Sequence, residues 1–262
     1  MNRGLCILVL FLPAIAFGAL PAGKWADSMF HHLIADRKAS LTEKSKTCNK
    51  LLAIYKQEKN TCKWIEVALL KSGYLLSSGR SVASLALLNT CDSLLTRHQC
   101  RNPESLLQMY LAYSRVYYLQ GENSKAKGYA QRGIDYFSSH SQDKTLLAQL
   151  YNSKGNTFTD PDSQIYYYQK AYRISLEKND LETQGTSLNE MGCVYASINN
   201  REKAIFYFRN ALRIALKRNA SQMVSALYNN LAGLTDNDAL VVKYLDSAKY
   251  YAKLRGDLED LQ

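Results

Sequence analysis

Proline and glycine are scarce in this chain, 4 and 13 of 262 residues. An all-β protein needs them at its many turns, so their scarcity argues against that class. Histidine is also scarce: His31, His32, His98 and His140 are the full set. There is no CxxC pair and no Cys/His cluster at zinc spacing. His31 and His32 are adjacent, so on a helix they point about 100° apart and make a poor chelate. Gly-rich phosphate loops, nucleophile elbows and HExxH helices are missing as well. The acidic pairs Asp160/Asp162 and Asp236/Asp238 sit in short connections, where helix capping is the ordinary work of Asp. No catalytic, metal or cofactor-binding residue is assigned, and the chain is expected not to be an enzyme.

Charge is not lacking, but blocks of charge are. The formal net charge is +10, yet no basic run of five or more occurs. Lys and Arg are spread along the chain, often beside Glu or Asp, as on helix exteriors. Direct nucleic-acid binding is therefore not expected.

Long hydrophobic runs are absent after the first 20 residues. Before that, Asn2-Arg3 is a short positive start and Leu5 to Phe17 is apolar, broken only by Pro13. Small residues follow at Gly18, Ala19 and Ala22. This reads as a signal peptide over 1–19, with cleavage after Gly18 or Ala19. Nothing later approaches the 18 or more apolar residues of a spanning helix, so no transmembrane segment is expected after cleavage. The mature chain is expected to be exported and periplasmic or envelope-associated, with secretion as the alternative.

Five cysteines remain after cleavage: Cys48, Cys62, Cys91, Cys100 and Cys193. An oxidising compartment permits pairing, and an odd count leaves at least one free or intermolecular. Cys62 begins one predicted helix, while Cys91 and Cys100 lie near the end of its antiparallel partner. A bridge there is feasible, but the sequence does not choose the pair. Cys193, mid-helix, reads as a small buried hydrophobe.

What the chain does contain is a repeated helical pattern. In Gly185–Arg218, two amphipathic helices meet at a tight turn. Met191, Gly192 and Tyr195 are followed by Ala204, Phe208 and Ala211. This order and spacing resemble the tetratricopeptide repeat (TPR), a 34-residue helix–turn–helix unit. Upstream, Tyr151, Gly155 and Phe158 precede Tyr168 and Ala171, with a shorter connection at Asp160-Pro161. Downstream, Leu231-Ala232 precedes Leu245 and Ala248. Further up, Tyr113-Ser114 and Tyr117 precede Gly121, Ala126, Ala130 and Gly133.

Residues 61–98 fit less well, through Leu70, Tyr74, Ala83 and Leu87 with Gly79-Arg80 as the turn. Residues 25–58 read as two helices, the second opened by a Ser40/Glu43 capping box. The expected organisation is a signal peptide at 1–19, an N-terminal helix pair and candidate cap at 20–60, a TPR-like array at 61–254, and the start of an incomplete further helix at 255–262. The fold class is all-α, a right-handed solenoid of antiparallel helix pairs. Solenoids normally carry a polar terminal cap. None follows Leu254, so the apolar stripe of helix 238–254, including Leu245, Ala248 and Tyr251, is expected to be exposed and to favour self-association.

The resemblance implies a module that binds a protein or peptide in a concave groove lined by the first helix of each repeat. Asn152, Asn189 and Asn229 recur three residues before the small residue of three successive units. As a ladder, their amides can grip a peptide backbone, since each offers a donor and an acceptor. Gln149 and Asn156 fall on the same wall, with Arg115 and Tyr118 further along. The competing role for these amides is to tie neighbouring repeats together. Exported, Tyr-rich arrays of this style also look like the sensor halves of bacterial regulators, in which repeats precede a transmembrane helix and a cytoplasmic DNA-binding domain. A structural adaptor in envelope assembly is the other alternative.

Overall fold

The computed structural model describes residues 22–36, 39–98, 100, 102–141 and 143–254. The expected signal peptide and the expected helix start at 255–262 lie outside the described residues. Among the described residues, the chain is all-helical, with twelve helices and no strand. They are α1 (Ala22–Ala35), α2 (Leu41–Gln57), α3 (Thr61–Ser77), α4 (Ser81–His98), α5 (Pro103–Leu119) and α6 (Asn123–His140). There follow α7 (Lys144–Gly155), α8 (Pro161–Glu177), α9 (Leu181–Ser197), α10 (Arg201–Lys217), α11 (Ser221–Ala232) and α12 (Asp238–Leu254).

Each helix packs on the next, and α3, α5, α7 and α9 also pack on one another in series. The odd helices thus form one layer and the even helices flank it. This is a TPR-like solenoid of antiparallel pairs.

The packing obeys a position rule. The twelfth residue of α3, α5, α7, α9 and α11 is Ser72, Ser114, Gly155, Gly192 and Ala232. All five are small and buried. The reason is steric. A Cβ on Gly192 would stand 2.6 Å from Cε1 of Phe208, and one on Gly155 would stand 2.6 Å from Cε1 of Tyr168. Phe208 and Tyr168 are each the eighth residue of the following helix. A ring lying on a bare backbone is what lets each pair close. The small residues Ala171, Ala204 and Ala211 are fully buried on the even helices. Around Met191 and Phe208, Leu188, Val194, Leu227 and Leu231 complete the largest apolar cluster.

Six of the described turns share a second rule, a residue of positive φ, and in one of them that residue is Lys59, at φ 55°. Asn179, Asn199 and Asn219 have φ of 53°, 56° and 54°, and Gly79 and Gly121 have φ of 74° and 77°. Asn and Gly reach this left-handed region at least cost. In each case the next residue's N–H bonds five residues back, as Asn200 N–H does to the Tyr195 carbonyl at 2.8 Å. That closes one helix and aims the next. The Ser40/Glu43 capping box forms at α2. Asp160 caps α8 by accepting from Ser163 N–H at 2.8 Å; α7 itself ends earlier, at Gly155. Asp236 does not cap. It pairs with Arg201 at 2.6 Å, and Asn237 accepts from Leu240 N–H instead. Arg201 also donates to the Leu234 carbonyl, so it joins α10 to the α11–α12 turn.

The disulfide is Cys62–Cys100. It ties the start of α3 to the α4–α5 connection, and Cys91 is free and buried in the α3–α5 core. Cys193 corrects the sequence reading: it is exposed. It follows Gly192 directly and so projects from the odd-helix layer rather than into the pair. Ala248 is a second correction. It is 3% exposed, lying under α11, where Ser225 Oγ donates to its carbonyl at 2.9 Å. Tyr251 is half-buried and stacks on Tyr228. The outer face of α12 does expose Val242, Leu245, Tyr250 and Leu254, but Asp246, Lys249 and Lys253 are interleaved with them. It is a mixed face, not an apolar stripe.

Candidate functional site on the odd-helix face

The recurring asparagines stand at positions nine and thirteen of the odd helices. In α7 these positions hold Asn152 and, just past the helix end, Asn156; in α9 they hold Asn189 and Cys193; in α5 the thirteenth is Arg115. Arg115, Gln149, Asn152 and Asn156 come together around one cavity of about 100 Å³. Ser153 of α7 and Glu182, Thr183 and Thr186 of α9 complete the lining. Three successive odd helices therefore build one site. Tyr118, Asn189 and Asn229 do not line it. Tyr118 is 39% exposed.

The amides are not free arms. Asn152 is 6% exposed, and its Oδ1 accepts from Ser187 Oγ of α9 at 3.0 Å. Asn189 Oδ1 accepts from Asn230 Nδ2 of α11 at 3.3 Å, and its own Nδ2 reaches Glu190 Oε1 at 3.4 Å. Asn156 Oδ1 accepts from the Tyr168 hydroxyl at 2.7 Å. The ladder thus links α7 to α9 and α9 to α11 through its oxygens. Asn229 is the exception. It is exposed, and Asn230 makes the link in its place.

The charges are placed unequally. Arg218 pairs with Glu182 Oε2 at 2.6 Å. Arg115 has no ion pair among the described residues, although Glu182 is near enough to favour its charged form. Arg115 is exposed, although crowding by the surrounding groups still works against its charge. Glu190 of α9, which does not line the cavity, has its pKa raised from the usual carboxylate value by burial, opposed by the bond from Asn189. Burial also pushes the neighbouring Cys193 thiol up to about 11, with Glu190 adding to the effect. A group can be exposed and still poorly solvated when it sits in a concavity.

Beside the cavity, the start of α9 carries a polar defect. Thr183 is 2% exposed, and its Oγ1 has no hydrogen-bond partner; Asp180 Oδ2, in the same turn, is likewise buried and unpaired. Sequence reasoning missed Glu182, Thr183 and Thr186. Their spacing puts them on one face of the first turns of α9, beside a wall already marked by Gln149, Asn152 and Asn156, and that juxtaposition was the available signal.

No protein-family model and no curated protein sequence matches this chain. Solved structures do match, in fold. BtubC (BKLC) from P. vanneervenii superposes with a TM-score of 0.56 at 13% identity, covering 92% of this chain and 93% of that one. A signal-transduction ATPase with a tetratricopeptide repeat sensor, from Pyrococcus horikoshii, gives 0.62 at 12% identity, covering 91% of this chain and 39% of that one. Aspartyl phosphate phosphatase F from Bacillus subtilis gives 0.60 at 19% identity, covering 88% of this chain and 62% of that one. This chain thus spans well under half of the Pyrococcus protein and somewhat under two thirds of the phosphatase. The fold it shares with them is a TPR-like helical array.

Proposed function

We propose that this chain is an exported protein-interaction module that binds an extended peptide, or a peptide-like segment of a partner, along its odd-helix face. It works by binding rather than by catalysis. The observation that carries the reading is the amide arrangement. The oxygens of Asn152 and Asn156 are held by Ser187 and Tyr168, which fixes each side chain and leaves its NH₂ to present. Asn229 presents a whole amide. Amide donors along one face suit a peptide backbone, whose carbonyls recur regularly whatever the side chains. A second reading is the sensor array of a larger regulator. It is favoured by the likeness to the Pyrococcus protein, whose tetratricopeptide repeats form a sensor.

The test is peptide selection on the mature chain from a displayed random library, followed by affinity measurement on Asn229→Ala. Loss of roughly 1–2 kcal/mol of binding with an unchanged melting temperature is the expected result. Asn152→Ala is a poorer probe, because it also breaks the bond to Ser187 and so lowers stability. Failure to enrich any peptide, or peptides that bind Asn229→Ala as tightly as wild type, would count against the groove. Export is tested separately by N-terminal sequencing of the envelope fraction, where a chain beginning near Ala19 or Leu20 is expected and an intact Met1 on a cytosolic protein is the contrary result.

A further inference from the structure

The cavity between α5, α7 and α9 is too small to hold a run of peptide chain. At about 100 Å³ it has room for roughly three waters at their liquid volume. Its lining side chains are all polar and carry both signs of charge. On one side stands Arg115, without an ion pair among the described residues. Asn152 and Asn156 line the same cavity, and with their oxygens bonded to Ser187 and Tyr168 their NH₂ groups are the atoms left for a ligand. That side is rich in donors. On the other side Glu182 gives Oε2 to Arg218 and keeps Oε1. Thr186 spends its hydroxyl hydrogen on the Glu182 carbonyl at 3.0 Å, which leaves its oxygen lone pairs as acceptors. Thr183 also lines the cavity, but its Oγ1 is itself buried and is not presented to a ligand there.

We infer that this cavity binds a small free α-amino acid, with its carboxylate held by Arg115 and the Asn152 and Asn156 amides, and its ammonium directed to Glu182. A carboxylate and an ammonium on one carbon match a site with donors on one wall and acceptors on the other. Glycine, alanine and serine are of the size the cavity admits. The desolvation that works against Arg115's charge is relieved by the arriving carboxylate. This site shares Asn152 and Asn156 with the proposed peptide face but needs Arg115, whereas the peptide test reads Asn229, so failure of one is distinguishable from failure of the other.

Calorimetric titration of the whole mature protein with glycine, L-alanine and L-serine is the test. Acetate, ethylammonium and N-acetyl-trialanine serve as the separate carboxylate, ammonium and peptide-terminus probes. At least one free amino acid is expected to saturate the protein in the millimolar range or tighter. Arg115→Gln is expected to weaken it about tenfold or more, as a charged hydrogen bond is lost. No saturation by any of the three, equal binding by acetate or by the blocked tripeptide, or unchanged affinity in Arg115→Gln each overturns the proposal. Because Arg115→Gln tests the fold as well as the site, the wild-type protein supplies a second readout. The side-chain amide NMR signals of Asn152 and Asn156 should shift on adding L-alanine, and unmoved signals overturn the proposal too.

Discussion

The pairs α3–α4 and α5–α6 solve the same crossing problem as α7–α8 and α9–α10, and solve it differently. In the later pairs glycine at the twelfth position receives an aromatic ring, Tyr168 on Gly155 and Phe208 on Gly192. In the earlier pairs serine stands there, and the eighth residue of the following helix is Leu88 or Ala130. Serine needs a partner when buried, and finds one. Ser72 Oγ meets Ser84 Oγ of α4 at 2.7 Å within its own pair, whereas Ser114 Oγ meets Ser153 Oγ of α7, in the next pair, at 2.7 Å. The earlier region adds the Cys62–Cys100 bridge and the stacked rings of Tyr113, Tyr117 and Tyr129. One position rule therefore tolerates two chemistries, shape complementarity in one half and hydrogen bonding plus a covalent tie in the other.

Breaking the covalent tie should give the largest effect. The bridge spans 38 residues of sequence, and removing such a loop constraint typically costs about 2–4 kcal/mol. The double variant Cys62→Ser/Cys100→Ser should lose that much in chemical denaturation. Hydrogen exchange should rise in α3–α5 while α9 and α10 keep their protection. Uniform loosening of the whole chain would mean that the two halves are not separately held.

Next comes the ring-on-glycine contact. Gly192→Leu should cost roughly 3 kcal/mol, because the new side chain must displace Phe208 in a close-packed crossing. Its melting temperature should fall well below that of an exposed-site control such as Lys217→Ala, which should move stability by under about 0.5 kcal/mol. Equal melting temperatures would refute the packing rule.

The serine contacts should matter less, and unequally. Ser114→Ala strands the 4% exposed Ser153 hydroxyl and should cost about 1–2 kcal/mol. Ser72→Ala should cost less, since Ser84 Oγ also reaches the Ser72 backbone carbonyl at 3.1 Å and keeps that bond. Denaturation midpoints of the two variants decide the order, and a larger loss at Ser72 would contradict it.

How readily each half was read from sequence follows from this difference. Gly192 with Phe208, and Gly155 with Tyr168, announce themselves because glycine and a bulky ring at fixed spacing are unusual together. Ser72 and Leu88 look like any helical hairpin, so 61–98 appeared as a weak match although it obeys the same register. The Asn turns at 179, 199 and 219 were equally regular but passed unremarked, since asparagine is common in turns of every kind. The site was half legible. Of the recurring Asn152, Asn189 and Asn229, only Asn152 lines the cavity, where Gln149, Asn156 and Arg115 meet it. What linear spacing did not give was the partner across the gap: that Ser187 would hold Asn152, that Asn230 rather than Asn229 would reach Asn189, and that α9 would supply Glu182, Thr183 and Thr186. These depend on how far one helix pair rotates over the next.

The smallest expected effect concerns acid. Burial raises Glu190 in the folded chain above its ordinary value. Between the unfolded and folded pKa the folded state binds the extra proton, so stability falls as pH rises through that window and recovers on acidification. Glu190→Gln should therefore flatten the pH dependence of the melt and raise the melting temperature near neutrality. An unchanged profile would place Glu190 in well-solvated surroundings.

Hydrogen exchange of the mature chain with and without a library-selected peptide tests the central claim most directly. The account predicts slowed exchange on the odd helices α7, α9 and α11, with α8, α10 and α12 unaffected; protection confined to the even helices would contradict it.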